Sequence, residues 1–151
     1  MVWTPRVTVA ALAERDGRFL VVEEEVEGKR VYNQPAGHLE PGESLLEAVV
    51  REMREETCRD FEPRSLVGVY LWRRNADSDT FLRFVIFGIA GEERTDLERD
   101  PDILATRWLS ERELRSASER LRSPLVLKCI EDHQACRHYP LDILETLIDC
   151  R

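Results

Sequence analysis

Residues 37–59 constrain this chain more than any other stretch. They read Gly-His-Leu-Glu-Pro-Gly-Glu-Ser-Leu-Leu-Glu-Ala-Val-Val-Arg-Glu-Met-Arg-Glu-Glu-Thr-Cys-Arg. A loop containing Gly37, Pro41 and Gly42 feeds a helix whose start is marked by Ser44 and Glu47, a capping-box pair. The helix runs to about Thr57. Leu45, Leu46, Val49, Val50 and Met53 recur at helical spacing and form an apolar stripe that must pack on something. Glu52, Glu55 and Glu56 fall in an arc of about 100° beside that stripe. Three carboxylates so close repel one another unless a cation lies among them, and oxygen-ligand ions such as Mg²⁺ or Mn²⁺ suit them. A solvated face of Glu and Arg is the plainer alternative. Gly37 lets backbone approach closely, so its carbonyl is a further candidate oxygen. Glu43 and Arg51, two turns apart, are placed to pair across the helix start and orient Glu52.

The remaining elements follow from local signals. Residues 6–13 and 18–26 are rich in apolar and β-branched side chains, and Asp16-Gly17 between them marks a hairpin. Residues 66–72, 81–90 and 104–109 read as further strands, the second apolar enough to lie centrally. Ser110 with Glu113 opens a short helix. Ser123-Pro124 opens another, expected to reach about Arg137. Leu141, Leu144, Leu147 and Ile148 suggest a last helix after Pro140. The order β, β, helix, β, β, β, helix, helix predicts an α/β (α+β) fold, a mixed sheet sandwiched between helices. With 151 residues and no linker or repeat, residues 1–151 are expected to form one domain.

Composition excludes some partners. The net charge of −8 argues against a nucleic-acid backbone binder, which needs a basic stripe. No segment approaches the ~18 apolar residues of a membrane span. Met1 to Arg6 lacks a basic region followed by an apolar run, and Cys58, Cys129, Cys136 and Cys150 show no CxxC spacing. The expectation is a cytoplasmic chain with reduced thiols.

Gly37, five residues, Glu43, seven residues, then Arg51-Glu52-Met53-x-Glu55-Glu56 resembles the Nudix box. Cys58 stands where that family usually has a left-handed Gly cap, and Arg59 where it has an apolar residue. Cys in a left-handed cap costs about 1 kcal/mol. Outside the box, Asn33-Gln34-Pro35-Ala36-Gly37-His38-Leu39-Glu40, Phe81-Leu82-Arg83-Phe84, Leu121-Arg122-Ser123-Pro124-Leu125-Val126 and Tyr139-Pro140-Leu141 resemble a bacterial phosphatase branch of the family. The resemblance implies the Nudix fold and a Mg²⁺-dependent hydrolase releasing orthophosphate from nucleoside tri- and diphosphates. It also implies action on hydroxymethylpyrimidine pyrophosphate, a thiamine precursor. The alternatives are a Nudix pyrophosphatase cleaving dinucleoside polyphosphates or nucleotide sugars, and a regulatory ligand-binding module without turnover. The partner expected is a small-molecule nucleoside or pyrimidine polyphosphate, with no nucleic acid and no membrane. Monomer and homodimer both occur in this fold.

The resemblance implies a catalytic group of Glu43, Arg51, Glu52, Glu55 and Glu56, with Gly37, Glu52, Glu55 and Glu56 as metal ligands. Glu52 is alternatively the base that deprotonates water. Residues 91–102 carry six acids in twelve positions, from which Glu98 is the candidate supplementary ligand; a solvated loop is the alternative. Arg6 and Arg83 are candidate phosphate forks, and Tyr32 and Phe84 candidate faces for a base. Each also reads as a structural residue, and His38 as a polar neighbour of the site. Cys129, His133 and Cys136, with His138, are spaced like a partial zinc site, but a helix with buried thiols explains them more simply. Trp3, Trp72 and Trp108 read as core or edge packing.

Overall fold

In the computed structural model, which describes residues 1–148, seven strands form one mixed sheet. They are β1 (Arg6–Arg15), β2 (Arg18–Val26), β3 (Lys29–Asn33), β4 (Ala36–His38), β5 (Phe61–Arg73), β6 (Thr80–Ala90) and β7 (Ile103–Ser110). The helices are α1 (Leu45–Thr57), α2 (Glu111–Ser116) and α3 (Leu125–Gln134). The main path is β3-β2-β1-β6-β5, with β4 paired to β1 and β7 to β2. β1 and β6 are parallel, with Thr8 opposite Arg83 and Ala10 opposite Val85.

β1 is buried on both faces, and its alternation sorts the core. Val9, Ala11 and Ala13 join Ala48, Val49, Met53 and Ile86 under α1. Ala10 and Leu12 join Phe19, Val85, Leu114, Cys129 and Ile130 under α2 and α3. The period of two along β1 therefore supplies two cores from one strand. Helices thus cover both faces, as the element order predicts.

α1 has the predicted bounds, and the Ser44 hydroxyl accepts from the Glu47 N–H at 3.1 Å. Ser110 and Glu113 form the full reciprocal capping box of α2. Two short strands went unread. β3 follows a hairpin at Glu27-Gly28, where both residues have positive φ (52° and 77°). Glu is a weak signal for such a turn, unlike the Asp16-Gly17 pair that makes the same geometry. β4 has three residues, too few to show periodicity.

Two helix expectations need correction. α3 stops at Gln134 rather than near Arg137, because Cys136 takes a left-handed conformation with φ 58°. After Pro140 there is only a single 3-10 turn, Leu141–Ile143. Tyr139 pairs with Leu66 of β5, so the chain crosses the sheet edge there. Leu141 and Leu144 then pack on the α1-side core, while Leu147 is exposed. A four-residue apolar pattern with half its members unburied does not sustain a helix. Trp3 is also exposed rather than packed, whereas Trp108 packs on the core beneath the Arg15 guanidinium.

Cys58, Cys129 and Cys136 are free, the first two buried; Cys150 lies outside the described residues. Cys129 is buried in the α3-side core, and His133 and His138 hydrogen-bond each other. Among the described residues, no three His, Cys, Asp or Glu groups stand as a metal cluster, so the zinc spacing has no structural counterpart.

Candidate active site

Arg51 organises one side of α1. Its Nε and Nη2 donate to the two oxygens of Glu43 at 3.0 and 2.7 Å, a bidentate fork. Nη1 donates to Glu52 Oε1 at 2.8 Å and to Glu55 Oε2 at 3.2 Å, and Nη2 also reaches the His38 carbonyl at 3.0 Å. The Arg51 hydrogen bond holds the Glu43 carboxyl below the usual carboxylate range, and Arg51 itself is raised. Burial pushes Glu52 upward, against the opposing pull of Arg51. The Glu43–Arg51–Glu52 geometry expected across the helix start is therefore present.

Glu56 lies outside this group. Its residue is only 6% exposed, and Oε1 accepts from the Ala36 N–H at 3.0 Å. Burial pushes its carboxyl up to about 9; the Ala36 N–H opposes this, and the charges of Glu52, Glu24 and Asp100 add to the rise. Three carboxylates thus add to the rise of Glu56, while the buried Arg83 guanidinium is a cation of the chain whose charge couples to it. Gly37 sits against Glu52 so closely that an added Cβ would overlap its carboxylate.

This donor set fits a hard divalent cation. All side-chain donors are carboxylate oxygens, the type such ions prefer. Glu52 neighbours both Glu55 and Glu56 at three- and four-residue helical spacing, which puts it between the other two on the helix surface. They do not already converge as a closed cluster, because Arg51 holds Glu52 and Glu55 while Ala36 holds Glu56.

The acidic loop is pinned to α1 by its backbone. The Asp100 N–H donates to the Glu55 carbonyl at 2.8 Å, and the Arg94 N–H to the Cys58 carbonyl at 2.8 Å. Asp100 is a loop acid whose charge bears on Glu56. Among the described residues, Glu98 makes no hydrogen bond or ion pair to the three helix glutamates. Sequence reading missed Asp100 and Glu24 because loop register is set by backbone contacts that leave no pattern in the residue types. Only Glu24's place in the Glu23-Glu24-Glu25 run gave a signal.

A cleft of about 670 Å³ opens beside Ala36 and Gly37. Thr8, Asn33, His38 and Arg83 line it together with Trp72, Phe81, Arg74 and Arg122. Arg83 is buried and donates from Nη2 to Asn33 Oδ1 and Gln34 Oε1, both at 3.1 Å; its Nε has no partner. Of the four substrate candidates, only Arg83 lines this cleft. Phe84 is one residue on, so strand alternation turns it to the α1-side core. Tyr32 is packed in the α3-side core with the Arg120 guanidinium 4.5 Å from its ring centre. Arg6 pairs with Asp79 at 2.6 Å and lines a neighbouring groove with His38 and Leu39.

The capped helix, its glutamate row and the two-faced mixed sheet are those of a Nudix hydrolase. The chain matches the NUDIX domain over residues 3–128 and belongs to that family. It is 43% identical over 141 residues to Phosphatase NudJ of Escherichia coli K12, covering 93% of this chain and 90% of that one. A solved NUDIX hydrolase from Nitrosomonas europaea superposes with a TM-score of 0.91 at 44% identity, covering 95% of this chain and 98% of the other. A MutT protein from Methanosarcina mazei Go1 shares the fold at 21% identity, with a TM-score of 0.71 and coverages of 91% and 99%. The chain is thus an enzyme acting on phosphorus-containing anhydrides of small-molecule nucleotides, similar to NudJ phosphatase. Nudix hydrolases generally use divalent metals. Among the described residues, no helix is long and apolar enough to cross a membrane.

In left-handed Cys58 the helix keeps the cap geometry that Gly usually supplies: φ is 56° and its N–H donates to the Arg54 carbonyl at 3.0 Å. Arg59 is buried, donates to the Gly91 carbonyl at 2.8 Å and lies over Trp108, 5.6 Å from the ring centre. Its aliphatic stem thus occupies an apolar position while its head is tied to the loop.

Proposed function

We propose that the protein is a Mg²⁺-dependent phosphatase, with Mn²⁺ able to substitute, that releases orthophosphate from nucleoside tri- and diphosphates. Hydroxymethylpyrimidine pyrophosphate is a further substrate, and the free thiols of Cys58, Cys129 and Cys136 suit a cytoplasmic setting. One observation carries this reading: buried Glu56, with acidic neighbours, bonds to the N–H of Ala36, a residue that lines the cleft with Arg74, Arg83 and Arg122.

Glu52, Glu55, Glu56 and the Gly37 carbonyl would hold the cation, with Asp100 or Glu98 as an added acid. The chemistry supplied by such a cation is neutralisation of phosphoanhydride charge and positioning of water. The chain's own residues do the rest. The Glu43–Arg51 fork fixes Arg51, and Arg51 fixes one oxygen of Glu52. Glu52 is raised by burial and so is better able to take a proton from water, its alternative role. Arg83, Arg74 and Arg122 offer guanidinium donors to the anionic chain of the substrate in a cleft that Glu24, Glu27, Asp77 and Asp79 also line.

The test is a panel of nucleoside tri- and diphosphates and hydroxymethylpyrimidine pyrophosphate, with and without Mg²⁺, and with the phosphorus products identified. Orthophosphate release that stops on chelation is the expected result. Pyrophosphate as the product would instead assign a Nudix pyrophosphatase.

A further inference from the structure

The sheet registers give the cleft a length. Ala36, whose N–H holds Glu56, lies opposite Ala10 of β1, and Ala10 lies opposite Val85 of β6. Two residues back along β1, Thr8 is opposite both His38 and Arg83. Two further back, Arg6 is opposite Phe81, and Phe81 is opposite Trp72 of β5. All three rows have the parity that faces the α3 side, and Ala36, Thr8, His38, Arg83, Phe81 and Trp72 from them line the cleft. Four residues at about 3.3 Å each put the Phe81–Trp72 row ~13 Å along the strands from the Ala36 row.

The rows differ in chemistry. The first meets the carboxylates. The middle row presents donors. A guanidinium has no acceptor, so Asn33 and Gln34 must turn their amide oxygens to Arg83 Nη2. The Gln34 amide nitrogen then goes to the Val126 carbonyl at 2.9 Å, while that of Asn33, a cleft-lining residue, bonds to none of the described residues. The third row is aromatic. Trp72 and Phe81 rings are 6.2 Å apart and tilted by 32°, and the His38 ring is 6.4 Å from Phe81. All three line the cleft.

We propose that the Trp72–Phe81 row is a base-stacking shelf and that the cleft acts as a ruler, favouring substrates whose ring is separated from the terminal phosphate by a phosphate chain and a sugar. The donors of Asn33 and Arg83 face the acceptor oxygens of that spacer. A ring joined to its pyrophosphate through one methylene falls short of the shelf. This rests on the function proposed above for which end takes the terminal phosphate, and it ranks nucleotides over pyrimidine pyrophosphates.

The experiment uses Trp72→Leu, which keeps apolar volume, and Trp72→Phe, which keeps a ring. Calorimetric Kd values for uridine 5′-monophosphate and ribose 5-phosphate read the shelf without any turnover. The wild type should bind the nucleotide more tightly, and Trp72→Leu should lose that preference by roughly tenfold, as removal of a stacking ring does. Trp72→Phe should retain most of it. In kinetics, Trp72→Leu should raise KM for uridine diphosphate with little change in kcat, and leave kcat/KM for hydroxymethylpyrimidine pyrophosphate within about twofold. Equal wild-type affinity for the two monophosphates, or equal losses on both hydrolysed substrates, overturns the shelf. A pyrophosphate product, or no turnover, fails the proposed function instead and leaves the binding result standing.

Discussion

Glu43 and Glu56 stand at opposite ends of the same catalytic segment and are treated oppositely by the fold. Glu43 receives both arms of an arginine fork, and its carboxyl is held low. Glu56 receives one backbone N–H, faces Glu52, Glu24 and Asp100, and is pushed up to about 9 by burial. A charge that the chain needs for architecture is neutralised by the chain. A buried carboxyl pushed this far up keeps its proton at neutral pH, and it gives that proton up only when a cation arrives from outside. Glu52 lies between these extremes, tied to Arg51 through one oxygen yet raised by burial.

The largest effect should come from Glu56→Gln. It removes a carboxylate donor while keeping the shape and the oxygen that meets the Ala36 N–H. Loss of an outer partner of a metal ligand typically lowers activity 10–100-fold, so loss of a ligand should lower kcat at least about a hundredfold. Without Mg²⁺ the variant should be more stable than wild type, by about 1–3 kcal/mol, since a buried carboxyl no longer has to lose its hydration or its charge. Urea unfolding with and without Mg²⁺ reads this directly: wild type gains stability from the ion and the variant gains little. Wild-type kcat in Glu56→Gln would break the contrast, because Glu56 would then be merely structural.

Arg51→Lys tests the other side. Lysine keeps the charge but cannot fork. Glu43 loses its bidentate clamp and Glu52 its fixed oxygen, so kcat should fall about tenfold. Folding stability should drop by only about 1 kcal/mol, since a point cation still sits among partly exposed carboxylates. A loss of stability with unchanged kcat would show that the fork serves the fold alone.

A finer discrimination lies in the acidic loop. Asp100→Asn should lower kcat/KM several-fold, because Asp100 is held against α1 through the Glu55 carbonyl and its charge bears on Glu56. Glu98→Gln should change it by less than about twofold, within the ordinary range for a surface substitution. The reverse order would restore Glu98 as the loop ligand.

These residues also show what a sequence can and cannot display. The helix with Ser44, Glu47 and the 45-46-49-50-53 stripe was legible because capping and packing are both local or periodic. So was the central place of β6, between β1 and β5, from its apolar run. The glutamate row was legible as proximity on one face, and its arrangement with Gly37 through the family resemblance. What stayed hidden was set by long-range register. Phe84 and Arg83 differ by one residue, yet one is core and the other lines the cleft. Only the placement of β6 beside β1 decides which. The placement of Asp100 beside α1 likewise follows from one loop backbone hydrogen bond to the Glu55 carbonyl. The last predicted helix failed because Tyr139 pairs with Leu66 and takes the chain over the sheet edge.

The smallest effect extends the comparison to cations. His133 Nε2 lies 2.7 Å from Glu14 Oε2, its Nδ1 3.0 Å from His138 Nε2, and His138 Nδ1 2.6 Å from Ser65 Oγ. With both rings neutral, donors run one way along this chain: Ser65 to His138, His138 to His133, and His133 to Glu14. One added proton is accommodated only by reversing the two bonds at His138. A second proton sets two N–H groups against each other. Burial, with the charge of His133 added, accordingly holds His138 below the ordinary imidazole range. A lowered folded-state value means that the contribution is present above the unfolded imidazole pKa, near 6.5, and is lost as pH falls through the folded value. The segment that His138 anchors is the one whose Tyr139 pairs with Leu66, so acid should loosen that crossing first. Amide protection at Leu66 and Tyr139, which donate to each other's carbonyls at 2.8 Å, should fall in wild type as pH drops below the ordinary imidazole range. In His138→Gln, which keeps a polar group without a titrating proton, the acid-dependent part should vanish. If protection there is flat with pH in the wild type, the imidazole pair behaves like Glu43, a charge fully matched within the fold.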